Sequence, residues 1–301
     1  MVNWLLFALI PPAFYGVSNF LDKFLIEKKV KDPIIVTIFG GVPTFFMGLF
    51  ILLINGFPTI GFGSLLLIIF SGVLLELYLV PYFMALSVDD ASRVIPLFQF
   101  IPIFVLFLSF AFLGETLKSG QFLGFLFILG GAFVLGVRKV EGKLFKLRKS
   151  LYLMLLSSFL YSLTVIIFKF IAIKESFWIT IAYEFFGVTL GALLLLIIPK
   201  YRERFIHDVK QANPQIWGIL SLNECIVVLA QLSGSFALLL APIALVSVIG
   251  STQPLFVLTY GVILSVWFPH IIKEDLQKST ILVKFAAIIL IIIGVYVINP
   301  H

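Results

Sequence analysis

Charge is scarce in this chain: Asp, Glu, Lys and Arg make up 12% of its 301 residues, against 61% hydrophobic residues. So little polar surface cannot cover a core of that size in water, which excludes a soluble globular protein. Cysteine is nearly absent as well. Cys225 is the one thiol, so no internal disulfide can form. The three histidines, His207, His270 and His301, fall in polar breaks or at the terminus, and neither an HExxH motif nor a cysteine cluster accompanies them, so no metal site is expected. No Gly-rich loop precedes a Lys-Ser or Lys-Thr pair, and no nucleophile is clustered with a base in an apolar segment. An enzyme is therefore not expected, nor is a bound cofactor. The first apolar segment lacks a basic leader and a small-residue cleavage site, and is read as a retained helix.

What is present is membrane sequence. Windows of roughly 20 apolar residues, enough to cross a hydrocarbon core of about 30 Å as helix, recur along nearly the whole chain. The expected fold is all-α, with ten transmembrane helices at 3–25, 33–54, 63–86, 92–113, 120–137, 151–173, 176–198, 215–239, 243–268 and 280–298. The longest polar breaks run over 138–150 and 199–214. The net charge of +6 comes almost entirely from short loops, which is a topology signal and not a nucleic-acid patch. Loops after helices one, three, five, seven and nine hold most Lys and Arg, among them Lys28, Lys29, Arg93, Arg138, Lys149, Lys200, Arg204 and Lys273. The positive-inside rule places those loops in the cytoplasm and both termini outside.

The chain repeats itself. The stretch 85–106, ALSVDDASRVIPLFQFIPIFVL, shares its frame with 237–258, ALLLAPIALVSVIGSTQPLFVL. Both open on Ala-Leu and reach a proline, Pro102 or Pro254, at the same spacing, and near-identical apolar runs follow. Tyr15, Lys23-Phe24 and Gly41 likewise match Tyr161, Lys169-Phe170 and Gly187 at one constant offset. With five helices per copy the second half enters from the opposite face, which predicts two inverted repeats. The repeats span 1–140 and 151–301, joined by a basic cytoplasmic linker at 141–150. An Ala-Leu helix end, a Pro-centred helix, an acidic hairpin and a Gly-containing final helix, in that order, resemble the EamA-type transporters of the drug/metabolite transporter superfamily. The resemblance implies a secondary carrier of small metabolites, amino acids or related amphipathic solutes, working by alternating access. It also implies an integral multi-pass protein of a prokaryotic cytoplasmic membrane, with the bilayer as partner, a homodimer contact, and protons as coupling ion. Ten-helix members of that family usually hold both termini in the cytoplasm, so the charges here predict the reverse orientation. The alternatives are a non-transporting membrane scaffold, or a translocase of lipid or phosphorylated sugar. The translocase would need a mid-depth base, for which Lys23, Lys169 and Lys284 are weak candidates.

Ionisable groups inside apolar helices are the sharpest local signals, since each costs roughly 2.5–3.5 kcal/mol near the bilayer centre on insertion scales. Glu76, Glu184 and Glu224 qualify. Aligned through Ala85 and Ala237, Glu76 and Glu224 fall one helical turn apart on equivalent faces, which predicts one shared cavity. They are expected as the coupling groups, or as partners of a substrate amine; the structural alternative is a protonated carboxyl packed between helices. Glu184, nearer its helix start, ranks below them. Pro96, Gln99 and Pro102 in the fourth helix, and Ser247, Ser251, Thr252, Gln253 and Pro254 in the ninth, mark broken helices whose freed carbonyls and polar side chains face a ligand or shape a kink. Gln99, Ser251, Thr252 and Gln253 are the expected substrate contacts, together with Glu76 and Glu224, and Tyr15, Asn19 and Tyr161 are expected wall groups. Lys23 and Lys169 are read as snorkelling to headgroups, and Glu115 and Glu274 as loop-ordering acids. Gly120, Gly124, Gly130, Gly131 and Gly136 form a small-residue face for close helix approach, with Ala286, Ala287 and Gly294 as a weaker one.

Overall fold

The computed structural model describes residues 3–28, 33–89, 94–136, 149–211, 214–267 and 278–298. Its regular elements are all helical among those residues, as a chain in lipid requires, because only a helix satisfies its own backbone groups there without a closed barrel. The first half runs α1 (Trp4–Lys28), α2 (Pro33–Asn55), α3 (Phe62–Leu77), α4 (Leu79–Leu86), a 3-10 segment (Ile95–Gln99), α5 (Phe100–Leu113) and α6 (Ser119–Gly136). The second runs α7 (Lys149–Ala172), α8 (Phe177–Ile197), α9 (Pro199–Gln211), α10 (Pro214–Leu240), α11 (Ile243–Gly250), α12 (Gln253–Trp267) and α13 (Lys278–Ile298). Among the described residues, seven helical stretches are long and apolar enough to cross a membrane, and three shorter apolar helices accompany them.

Three helical segments are broken near prolines, and α7 serves two of the breaks. Pro81 removes the N–H that would bond to the Leu77 carbonyl, so α3 stops at Leu77 and α4 restarts beyond Tyr78. The Tyr78 carbonyl at that break accepts a hydrogen bond from Ser157 Oγ at 2.9 Å. Near Pro96 and Pro102 the chain runs as 3-10 before α5, and the Leu97 and Ile101 carbonyls accept from Ser158 and Ser162 at 3.5 and 3.2 Å. Pro254 separates α11 from α12. All three α7 serines are fully buried.

Glycines set how closely the helices pack. A Cβ on Gly72 would strike the Glu184 carbonyl and come within 2.6 Å of Gly187 Cα, so α3 and α8 cross with their backbones in contact. Helix α8 also packs along α2, where Gly41 lies against Ala192. Helices α6 and α13 pack on each other through Gly124, Gly131 and Gly294. Gly120 of the expected small-residue face meets nothing within 4 Å, and the side of α6 at Gly136 lies outside the described residues.

One element was not anticipated. The break at 199–214 holds a 13-residue helix, α9, with the sequence PKYRERFIHDVKQ. Tyr201, Phe205 and Val209 recur at helical spacing and pack onto Ile34, Ile35, Ile38 and Phe39 of α2 and on Ile216 and Leu220 of α10. Phe39 lies tilted at 4.8 Å against Phe205 and edge-on at 5.1 Å to Trp217. The opposite face carries Arg202, Glu203 and His207, all exposed.

Candidate functional site

Polar side chains from both halves converge in the middle of the bundle. Glu184 of α8 is buried and accepts hydrogen bonds from Ser71 Oγ of α3 at 2.9 Å and from Gln231 Nε2 of α10 at 3.4 Å. Tyr15 of α1 and Tyr161 of α7 stand within electrostatic range of its carboxyl. Tyr161 meets Tyr78 at the α3–α4 break, ring centroids 5.1 Å apart and edge to face. Further along α3, Glu76 is 4% exposed, faces Thr37 of α2 and lies within range of Glu224 of α10. Its Oε1 is buried and has no hydrogen-bond partner. Small residues make room for these acids. The Cβ and Cγ of Glu76 rest against Gly191, and a Cβ on Gly40 would come within 3.0 Å of Glu224 Oε2.

Tyr15, Tyr78 and Tyr161 lie deep among the helices, yet each keeps accessible surface. All three are only partly buried. The two broken segments meet where Gln99 Nε2 donates to the Ser251 carbonyl at 3.3 Å and the buried Gln99 Oε1 has no partner. Ser251 and Thr252 turn their hydroxyls back onto Val248 and Ile249 of α11. The groups gathered here can accept hydrogen bonds and hold positive charge; among the described residues no basic side chain stands against Glu76 or Glu184.

The expected residues are thus placed unevenly. Glu76 and Glu224 come together, as do Gln99 and Ser251, and Tyr15 and Tyr161 flank Glu184. Asn19 is exposed on α1, Thr252 is buried and Gln253 half-buried. Glu184, ranked last of the three acids from sequence, is the one with two side-chain donors, and Ser71, Tyr78, Thr37 and Gln231 enter the cluster unannounced. A lone Ser, Thr or Gln in an apolar helix is a weak signal; only the crossing of α3, α8 and α10 brings them to one acid.

Lys169 corrects the snorkelling expectation. It is 7% exposed, and its Nζ binds Glu115 Oε1 at 2.5 Å and the Ala241 carbonyl at 2.8 Å, while Glu115 Oε2 accepts from the Ile243 N–H at 2.8 Å. Gly114, at φ 65°, ends α5 in the left-handed region that lets the chain turn Glu115 inward. Glu115 keeps its expected loop-ordering part. The side chain of Lys23, and Glu274, lie outside the described residues.

Residues 2–137 match the EamA-like transporter family. That stretch, a little under half of the chain, is similar to EamA-like transporters. With seven helical stretches of spanning length, the chain is an integral, multi-pass membrane protein. A solved crystal structure superposes on 98% of this chain and on 94% of its own, with a TM-score of 0.71 at 16% identity, a likeness of fold that covers both halves. No curated protein matches the chain in sequence.

Proposed function

We propose that this EamA-like chain is a secondary active transporter of small metabolites, amino acids or related amphipathic solutes, working by alternating access. The observation that carries this reading is the burial of Glu76, Glu184 and Glu224, from helices of both halves, inside the bundle, with Glu76 near Glu224 and with Tyr15 and Tyr161 near Glu184. Buried acids are expensive to keep and mark solute or ion paths in membrane proteins. Gln99 and Ser251 supply polar contacts, with Thr252 and Gln253 behind them, and Glu76 and Glu224 take up and release a coupling proton.

The inverted-repeat reading, with ten crossings in domains 1–140 and 151–301 about the 141–150 linker, draws support from which helices pack together. The α1–α10 contact has its counterpart in α7–α3, α1–α12 in α7–α5, and α6–α13 and α2–α8 map onto themselves. The basic loops would then lie in the cytoplasm and both termini outside. A homodimer would have to use the outer faces of α6 and α13, because their glycine faces are filled by each other.

The test is uptake into proteoliposomes of a mixed pool of labelled amino acids and other metabolites, with and without a pH gradient. Gradient-dependent accumulation is expected, and Glu76→Gln should abolish it while the variant still elutes as a folded particle in detergent. Absence of flux for every solute, from folded protein in both orientations, would overturn the carrier reading.

A further inference from the structure

Three observations at the central site bear on the charge of what it carries. The first is the unpartnered Oε1 of Glu76, 4% exposed and facing α2 and α10. A buried carboxylate oxygen without a donor is costly, and a bound group bringing N–H donors and positive charge relieves that cost. The second is the charge balance. Among the described residues Glu76 and Glu184 have no basic side chain beside them, and Lys169, the buried lysine of α7, is already committed to Glu115 and the Ala241 carbonyl. The third is the aromatic cluster beside the acids. Tyr15, Tyr78 and Tyr161 keep accessible surface, and ring faces attract ammonium groups.

The two acids stand at different levels. Helices α3 and α8 run parallel where they cross, with Gly72 against Gly187 and Glu76 against Gly191. Gly191 is two helical turns past Glu184, a rise of about 10 Å. The tyrosines bridge the interval, since Tyr78 neighbours Glu76 and Tyr161, while Tyr15 and Tyr161 neighbour Glu184. An ammonium group held by either acid would lay its carbon body along those rings.

We propose that the substrate is an organic amine, a compact cation with an apolar or aromatic body and no carboxylate of its own, bound by Glu76 and Glu184 between Tyr15, Tyr78 and Tyr161. This rests on the carrier reading and narrows its substrate class. An amino acid would bring its carboxylate, one carbon from the ammonium, into the same acidic space, where like charges are juxtaposed without a base. Anionic solutes are rejected for the same reason.

A matched set of probes isolates the charge: phenethylamine, phenylalanine and phenylacetate share a benzyl body and differ in their ionised groups. In proteoliposomes of the full-length protein, phenethylamine flux should exceed that of the other two by at least about tenfold, equivalent to about 1.4 kcal/mol of discrimination. Phenethylamine should also raise the thermal midpoint of the wild type in detergent. Glu76→Gln and Glu184→Gln should each lose both responses while eluting as folded particles. Equal or faster flux of phenylalanine or phenylacetate would overturn the amine assignment and leave the carrier reading standing. So would undiminished amine flux in both Gln variants. No flux of these probes or of the mixed metabolite pool would remove the carrier reading itself, and the assignment with it.

Discussion

At the scale of single residues, a buried charge is worth what its partners make of it. Lys169 is enclosed by Glu115 and a backbone carbonyl, and the same Glu115 holds the first N–H of α11. Removing one member of a buried pair strands the other, which typically costs about 3–5 kcal/mol. Lys169→Met is therefore expected to destabilise the protein by that amount in thermal unfolding in detergent. Glu115→Gln should lose less, because its amide oxygen still accepts from one of the two donors. The double variant should fall short of the sum by about 1 kcal/mol or more, as groups in one network do. Strict additivity would mean the pair is not coupled. This clasp was not legible beforehand. A lysine near the end of an apolar helix reads as a headgroup anchor, and only the folding back of two hairpins, at Glu115 and at Ala241, encloses it.

Among the helices, length and hydropathy made the apolar segments readable, and the elements of the structure fall within them because lipid leaves few other solutions. The surprise was α9, whose six charged residues among thirteen mask a three-residue apolar stripe at Tyr201, Phe205 and Val209. Which glycines matter was equally hidden. The sequence pointed to the glycines of α6, yet the tightest approach is Gly72 on Gly187, between helices of different halves. Gly72→Val would push a side chain into three backbone atoms of α8. Overpacking of that kind is expected to cost at least about 3 kcal/mol and to reduce the yield of folded protein. Gly120→Val, with nothing within 4 Å of its Cβ, should stay within about 0.5 kcal/mol of the wild type. Comparable thermal midpoints for the two variants would show that the α3–α8 crossing yields more readily than its geometry allows.

For the molecule as a whole, on the inverted-repeat reading, the exchange of halves keeps the main helix contacts, and its largest departure lies at one place. Helices α3 and α8 pack extensively, whereas their counterparts α10 and α2 touch only sparsely. The repeat itself supplies a cause. The spacing that carries Ala85 onto Ala237 carries Gly72 onto Glu224, and the one that carries Tyr15 onto Tyr161 carries Gly41 onto Gly187. Where one half closes glycine on glycine, the other has a carboxyl, and Glu224 lies against Gly40 of α2. On the inverted-repeat reading, Glu224 is a wedge that holds the α2–α10 seam apart, and a carrier that alternates must open one seam as it closes the other. Glu224→Gly should let that seam close. The native Cys225 on α10 and a cysteine at Val42 on α2 are both exposed positions, so spin labels there can report the distance across the seam. The variant should give a shorter, narrower distance distribution than the wild type. If the two distributions coincide, the glutamate does not set the spacing, and the asymmetry between the seams has another origin.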